Sequence, residues 1–179
     1  MNEQGKGASI HIFCGKMASG KSTLARELAQ KHNAILLVED DWMSQLYPAE
    51  ISDIQSYIKY SERLKGPVSG HVLDLLAHGM SVVMDFPANT INQRRWFREL
   101  FEKANVRHAL HYLDVSDAIC KQQLRQRSAG RSEGSAFTTA AEFDAITKYF
   151  QPPDTDEGFN VIRYEREGQG ASNLLTNTS

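Results

Sequence analysis

The sequence predicts an α/β fold, in which one parallel β-sheet is covered by helices on both faces. Five short stretches rich in apolar and β-branched residues are predicted strands: 9–14, 34–38, 81–84, 106–115 and 159–164. The segments between them have helical patterns: 22–31, 51–65, 68–78, 90–104, 116–127 and 139–150. Strands that alternate with helices pair in parallel, and such sheets bind ligands beyond the carboxyl ends of their strands. We therefore expect a three-layer sandwich with about five strands.

Local signals set the boundaries of these elements. In the first helix, Leu24 and Leu28 repeat at the spacing of one helical face. Gly66 and Pro67 predict a break between the second and third helices, because proline removes a helical hydrogen bond. Thr90 precedes a later helix and is expected to cap it.

Length and composition indicate one ordinary globular domain. The chain has 179 residues and 41% hydrophobic content, enough for a sizeable core. We expect the domain at 9–166, with a disordered N-terminus at 1–8 and a polar, disordered tail at 167–179. No apolar run approaches the roughly eighteen residues that cross a membrane, and no signal peptide is visible. Two cysteines are too few for a disulfide scaffold or a zinc site. These features favour the cytoplasm. The sequence leaves the oligomeric state open.

Residues 15–22 match G-x-x-x-x-G-K-[ST], the phosphate-binding P-loop, between the first strand and the first helix. Its glycines let backbone N–H groups turn inward toward phosphate oxygens. Lys21 is expected to reach the β- and γ-phosphates as a catalytic residue, and the Ser22 hydroxyl to ligate Mg²⁺. ATP and Mg²⁺ are therefore the predicted cofactors. The residues expected to bind the nucleotide here are Gly15, Ala18, Ser19, Gly20, Lys21, Ser22 and Thr23.

Acidic residues follow two other predicted strands, at the edge of the sheet where the P-loop is expected. Asp40 is the candidate catalytic carboxylate, which accepts or orients the proton of an acceptor hydroxyl. Asp41 is a weaker candidate for the same role, so the choice between the two carboxylates stays open. Together with Glu39 they also allow a second interpretation, in which the acids stabilise a helix N-terminus. Asp85 occupies the position of the second magnesium-binding acid of P-loop proteins, and the alternative is that it starts a turn. Asn89, in the loop that follows, either contacts a substrate or caps a helix.

Basic residues cluster near the end of the helix at 116–127. Arg127 and Arg131 are predicted catalytic residues, because guanidinium groups neutralise charge on a phosphoryl group in transfer. Arg127 is also expected to bind the nucleotide, and Arg125 is a weaker candidate. The alternative is a solvated helix end, where cations suit the helix dipole. Residues 128–137 are rich in glycine and serine, which predicts a mobile basic lid.

Other polar and aromatic residues receive no catalytic role. The six histidines lack metal-ligand spacing, and His11 and His111 are expected on strand faces. Tyr57, Tyr60 and Arg63 either face a substrate on an inserted helix or form a surface stripe, and the stripe is favoured.

Taken in order, these motifs resemble the small P-loop kinases, a group that includes polynucleotide 5′-kinase, zeta toxin, chloramphenicol phosphotransferase and gluconate kinase. The resemblance covers about residues 9–164. It rests on the P-loop together with residues 39–42, 82–86, 127 and 131. Residues 150–162 are similar to the tail of uncharacterised ATP-binding members of the group.

This resemblance implies a five-stranded parallel sheet with a lid. It implies Asp40 as the general base or hydroxyl-orienting residue, and Arg127 and Arg131 as lid residues on the ATP phosphates. It also implies that residues 151–153 lie near the adenine. Polynucleotide kinase carries an arginine where this chain has Met43, which disfavours a polynucleotide end as the acceptor.

The sequence therefore predicts a kinase that transfers the γ-phosphate of ATP to a hydroxyl group of a small molecule. The net charge of −2 supplies no broad positive field for a nucleic acid. Two alternatives stay open: a kinase of the zeta-toxin or polynucleotide type, and a nucleotide-dependent switch that hydrolyses ATP slowly. Asp40 favours a kinase, because a switch needs no acceptor base.

Overall fold

The structure is a computed structural model that describes residues 7–130, 138–166 and the backbone of 176–178. The strands are β1 (Ser9–Gly15), β2 (Ile35–Val38), β3 (Val82–Pro87), β4 (Arg107–Asp114), β5 (Val161–Glu165) and β6 (Thr176–Thr178). The helices are α1 (Lys21–His32), α2 (Glu39–Leu46), α3 (Ile54–Ala77), α4 (Ile91–Ala104), α5 (Asp117–Ser128) and α6 (Ala140–Thr147), with a 3₁₀ turn at Thr155–Glu157. No helix in these described ranges is long and apolar enough to cross a membrane.

One sheet with helices on both faces organises the domain, in the strand order β2-β3-β1-β4-β5-β6. The first five strands are parallel, which confirms the predicted α/β fold with its five-stranded parallel sheet. β6 is an antiparallel edge strand within the segment expected to be a polar tail, where no strand was predicted. β1 is buried on both faces and lies in the centre, with Ile12 in the α3–α4 core and Phe13 in the α1–α5 core. The parallel strands therefore all end at the edge that carries the P-loop.

The predicted break at Gly66 and Pro67 is wrong, because α3 runs through both residues as one helix. Pro67 lies exposed inside the helix, where its ring and missing N–H cost stability. The apolar face is nevertheless continuous across it, since Leu64 and Val68 are buried on either side. Packing of this stripe on the sheet outweighs the local preference of proline to end a helix.

Side chains cap the starts of α4 and α5, and the cap at Thr90 was predicted. The Thr90 hydroxyl accepts a hydrogen bond from the Gln93 N–H, and the Gln93 Oε1 atom accepts one from the Thr90 N–H. Ser116 caps α5 through the Ile119 N–H. These bonds satisfy backbone donors that have no partner within the helix.

A chain of buried hydrogen bonds crosses the sheet on the face covered by α1. The His11 Nδ1 and His111 Nε2 atoms are 3.0 Å apart, and His111 Nδ1 lies 2.9 Å from the Tyr164 hydroxyl. The His11 ring also stacks on His32, at the end of α1. Burial lowers the pKa of His11 to about 4 and that of His111 to about 3. Both imidazoles are therefore neutral in the folded protein at neutral pH.

We expect acid to destabilise the fold through these two imidazoles. The unfolded chain binds protons at the ordinary histidine pKa near 6.5, whereas the folded chain resists them until about pH 4. The stabilisation is complete above pH 6.5 and is lost as the pH falls from 6.5 toward 4. Because unfolding then takes up two protons, the free energy of unfolding falls by up to about 2.7 kcal/mol for each unit by which the pH is lowered.

Urea denaturation across this pH range measures the effect, with His111→Asn compared with wild type. The His111→Asn protein should show a clearly shallower loss of stability, while the exposed control His78→Asn should follow the wild-type curve. A wild-type slope retained in His111→Asn would show that the buried histidines do not set the acid sensitivity.

Candidate functional site

The P-loop joins β1 to α1 and has the backbone of an anion cradle. Gly20 has φ +103°, and Ala18 adopts the left-handed region at φ +59°. Gly15 has no room for a side chain, because a Cβ atom there would lie 2.6 Å from Ser19 Oγ and 3.1 Å from the Leu113 carbonyl oxygen. The glycines at 15 and 20 are thus required by packing and backbone conformation, respectively. Successive N–H groups in such turns, followed by a helix N-terminus, make an anion-binding concavity.

Lys21 lies across the mouth of this loop. Its Nζ atom donates hydrogen bonds to the Gly15 carbonyl at 2.6 Å and to the Lys16 carbonyl at 2.8 Å. Burial lowers the pKa of Lys21, and the nearby Asp85 carboxylate opposes that shift. An ammonium group has three donors, so one remains for a phosphate oxygen after the two carbonyl bonds.

The two residues predicted to hold Mg²⁺ lie side by side. The Ser22 hydroxyl, in the first turn of α1, lies next to the Asp85 carboxyl in β3. Burial raises the pKa of Asp85, while the Ser22 hydroxyl and the Lys21 charge lower it. A hydroxyl and a carboxylate beside a phosphate cradle fit Mg²⁺, which is held by few protein oxygens together with phosphates and waters.

The three consecutive acids form the first turn of α2 and point in different directions. Asp40 and Asp41 are exposed, and Asp40 lies close enough to raise the pKa of Asp85. Glu39 is 3% exposed and accepts hydrogen bonds from the Tyr57 hydroxyl at 2.5 Å and from Ser61 Oγ at 2.6 Å. Burial raises the pKa of Glu39, and the two hydrogen bonds oppose that shift. The acids therefore begin a helix, as the second interpretation expected, and Asp40 also lies near Asp85. The catalytic role of Asp40 stays a prediction.

Of the predicted arginines, the structure places Arg127 near the site. It lies in the last turn of α5, and its charge acts on the Lys21 ammonium. Arg125 is exposed on the same turn. Arg131 and the segment 131–137, which holds most of the predicted lid, lie outside the described residues.

Asn89, in the loop after β3, holds the start of the P-loop in place. Its Oδ1 atom accepts a hydrogen bond from the Gly15 N–H at 2.9 Å, and its carbonyl accepts one from the Gln151 N–H at 2.9 Å. Neither earlier interpretation of Asn89 included this role. Because Asn89 contacts both Gly15 and Gln151, it connects the start of the phosphate loop to the segment that follows α6.

Arg94 on α4 contacts the loop after β3 and the segment that follows α6. The sequence analysis did not predict a role for it. Its side chain is fully buried and forms a two-pronged ion pair with Glu157, at 2.6 and 2.8 Å. The remaining donors reach the carbonyl oxygens of Ala88, at 3.0 Å, and Gln151, at 2.8 Å. The sequence does carry a signal, because Arg94 continues the apolar stripe of Phe97 and Phe101 on α4.

Tyr57 and Tyr60 on α3 do not form the predicted surface stripe. Tyr57 turns inward to Glu39. Tyr60 instead packs on Tyr47 and lies beside Lys59 and Arg63. Whether these aromatic residues face the interior depends on where α2 crosses α3, which the α3 sequence alone does not specify.

Together, the sheet order, the P-loop and the Lys21, Ser22 and Asp85 constellation define a kinase-like P-loop domain with a nucleotide-binding loop. The AAA domain family matches residues 10–153. The chain therefore belongs to that family.

Solved structures share this fold at low sequence identity. A candidate kinase of Chloroflexus aurantiacus is 17% identical with a TM-score of 0.69, covering 90% of this chain and 89% of that one. The APS kinase CysC of Mycobacterium tuberculosis, in complex with AMPPNP and APS, is 18% identical with a TM-score of 0.59, covering 91% and 90%. A gluconokinase of Sinorhizobium meliloti is 15% identical with a TM-score of 0.55, covering 89% and 82%. No curated protein matches the chain.

We expect Arg94→Met to destabilise the domain by about 3 kcal/mol or more, because it leaves Glu157 and two carbonyl oxygens without their buried donor. Arg95→Met on the same helix is the control, since Arg95 is exposed and should change stability by less than about 0.5 kcal/mol. Equilibrium unfolding in urea measures both. Equal stability of the two variants would contradict the anchoring role of Arg94.

Proposed function

We propose that the protein is a cytoplasmic, Mg²⁺-dependent kinase that transfers the γ-phosphate of ATP to a hydroxyl group of a small molecule. The observation that carries the proposal is the convergence of Lys21, the Ser22–Asp85 pair and Asp40 at one edge of the sheet. These residues supply a phosphate contact, a magnesium site and a candidate base.

The P-loop has the properties of a nucleotide site. Ser19 Oγ is buried and lacks a hydrogen-bond partner among the described residues. This hydroxyl, the third donor of the Lys21 ammonium and the first N–H groups of α1, which have no partner within a helix, are polar groups that phosphate oxygens can bind. Phe150 lies beside Lys16 and Tyr112, which supports placement of the adenine near residues 151–153. ATP would bind through Gly15 and residues 18–23.

Mg²⁺, when bound, would neutralise charge on the β- and γ-phosphates, held by Ser22 and Asp85. Lys21 would hold the phosphoryl oxygens in line with the acceptor. Arg127 and Arg131 would close on the transferring group, which spreads its charge over three oxygens. Asp40 would orient the acceptor hydroxyl and take its proton at the carboxylate oxygen. Catalysis in this scheme is mostly positioning and electrostatic stabilisation.

The acceptor is more consistent with a small molecule than with a nucleic-acid end. The chain carries a net charge of −2, and Asp40 and Asp41 add negative charge at the acceptor side. Met43 is buried at the position where polynucleotide kinase has an arginine. Label transfer from γ-labelled ATP to a 5′-hydroxyl oligonucleotide would favour the alternative kinase type. ATP turnover that no hydroxyl compound stimulates would favour the switch.

We expect Asp40→Asn to lower the rate of phosphoryl transfer by roughly 10²- to 10⁴-fold, the usual size of general-base catalysis. ATP affinity should barely change, because Asp40 faces the acceptor. Asp41→Asn is the matched control, since it removes an equally exposed carboxylate one residue away.

Single-turnover transfer from γ-labelled ATP measures the chemical step, and titration with ATP measures binding. A large loss of transfer in Asp41→Asn with normal transfer in Asp40→Asn would show that Asp41, and not Asp40, is the base. Loss of ATP binding in Asp40→Asn would place Asp40 on the nucleotide side.

A further inference from the structure

Two cations converge on one aromatic ring at the crossing of α2 and α3. Lys59 Nζ lies 5.2 Å from the centroid of the Tyr60 ring, and the Arg63 guanidinium carbon lies 5.5 Å from it. The Tyr60 ring packs on Tyr47, with centroids 4.3 Å apart. We call Lys59, Arg63, Tyr60 and Tyr47 the cationic cluster. The two tyrosines also pack against the core, so the ring that carries both cations is fixed.

This arrangement carries a cost for the helix. Lys59 and Arg63 are separated by four residues on α3, where like charges face each other and destabilise the helix by a few tenths of a kcal/mol. Neither forms an ion pair with a described acidic residue, and both are exposed. Two converging exposed cations without an acidic partner are suited to bind an anionic group.

The cationic cluster is tied to the acceptor side of the site. Glu39, at the start of α2, contacts Tyr57 and Ser61, while Tyr47, directly after α2, contacts Tyr60. One turn of α3 therefore reaches both ends of α2. Asp40 lies in the first turn of α2 and Tyr47 directly follows its last residue, so about 10 Å of helix separates them.

The two ends of α2 lie near charges of opposite sign. Asp85 lies beside Ser22 and Lys21, with Asp40 next to it, whereas Lys59 and Arg63 are cations near Tyr47 at the far end of α2. A molecule with a hydroxyl at one end and an anionic group at the other would be repelled in the reverse orientation. This polarity would present the hydroxyl to Asp40.

We propose that the phosphate acceptor is a small hydroxyl compound with an anionic group, a carboxylate, sulfate or phosphate, which Arg63 and Lys59 bind through the cationic cluster. The inference rests on the proposed kinase activity and adds the chemical class of its acceptor. Loss of one charge-assisted contact should raise the KM for the acceptor roughly tenfold or more, with kcat little changed.

The test uses a deproteinised cell extract, filtered to remove macromolecules and separated on an anion exchanger into a neutral flow-through and a retained fraction. Each fraction is incubated with the protein and γ-labelled ATP. Arg63→Gln and Lys59→Gln are compared with Lys103→Gln, an exposed lysine on α4. Circular dichroism and ATP affinity show that each variant is folded and binds nucleotide.

We expect label to enter a compound of the retained fraction with wild type and Lys103→Gln, and to fall at least about tenfold at low acceptor concentration with the other two variants. Label in a compound of the neutral flow-through would overturn the anionic acceptor while leaving the kinase proposal in place. Equal labelling of a retained compound by all variants would show that the cationic cluster does not bind the acceptor. No labelling from either fraction would contradict the proposed function, and the inference with it.

Discussion

The buried guanidinium of Arg94 is the interaction on which the organisation of the site depends. It joins the loop after β3, through Ala88, to the segment after α6, through Gln151 and Glu157. Asn89 lies between these contacts and holds the Gly15 N–H. A charge of this kind is stable inside a protein only when all its donors are satisfied. Arg94 thereby constrains the loop that positions the start of the P-loop.

Packing by a buried side chain also explains the position of Asp40. α2 begins directly after β2, so its first turn brings Asp40 beside Asp85 at the sheet edge. Glu39 turns the other way and is held by α3, which fixes how α2 leaves the sheet. One buried acid therefore positions the helix, and the exposed acid next to it is available for chemistry. The P-loop and the start of α2 are each held by a buried ionisable side chain, Arg94 and Glu39, that forms several hydrogen bonds.

Short sequence patterns allowed much of the fold to be predicted. The P-loop, the Thr90 cap and the five parallel strands depend on short stretches of sequence, and the structure confirms them. The break at Pro67 was wrong because its local cost is outweighed by packing of the stripe that contains Val68. Arg94 and Glu39 could not be assigned because their partners are distant in sequence: Glu157 for the first, Tyr57 and Ser61 for the second. The roles of Asp40 and the arginines remain predictions.

The most direct test of the account is the binding of MgATP to wild type and to Lys21→Ala, measured by isothermal titration calorimetry. Lys31→Ala, on the exposed end of the same helix, is the control. We predict saturable binding by wild type and Lys31→Ala, and an affinity at least roughly tenfold lower for Lys21→Ala, because a charge-assisted phosphate contact is lost. All three proteins should have the same circular dichroism spectrum. Equal affinity in wild type and Lys21→Ala, or no binding by wild type, would contradict the assignment of the P-loop as the nucleotide site.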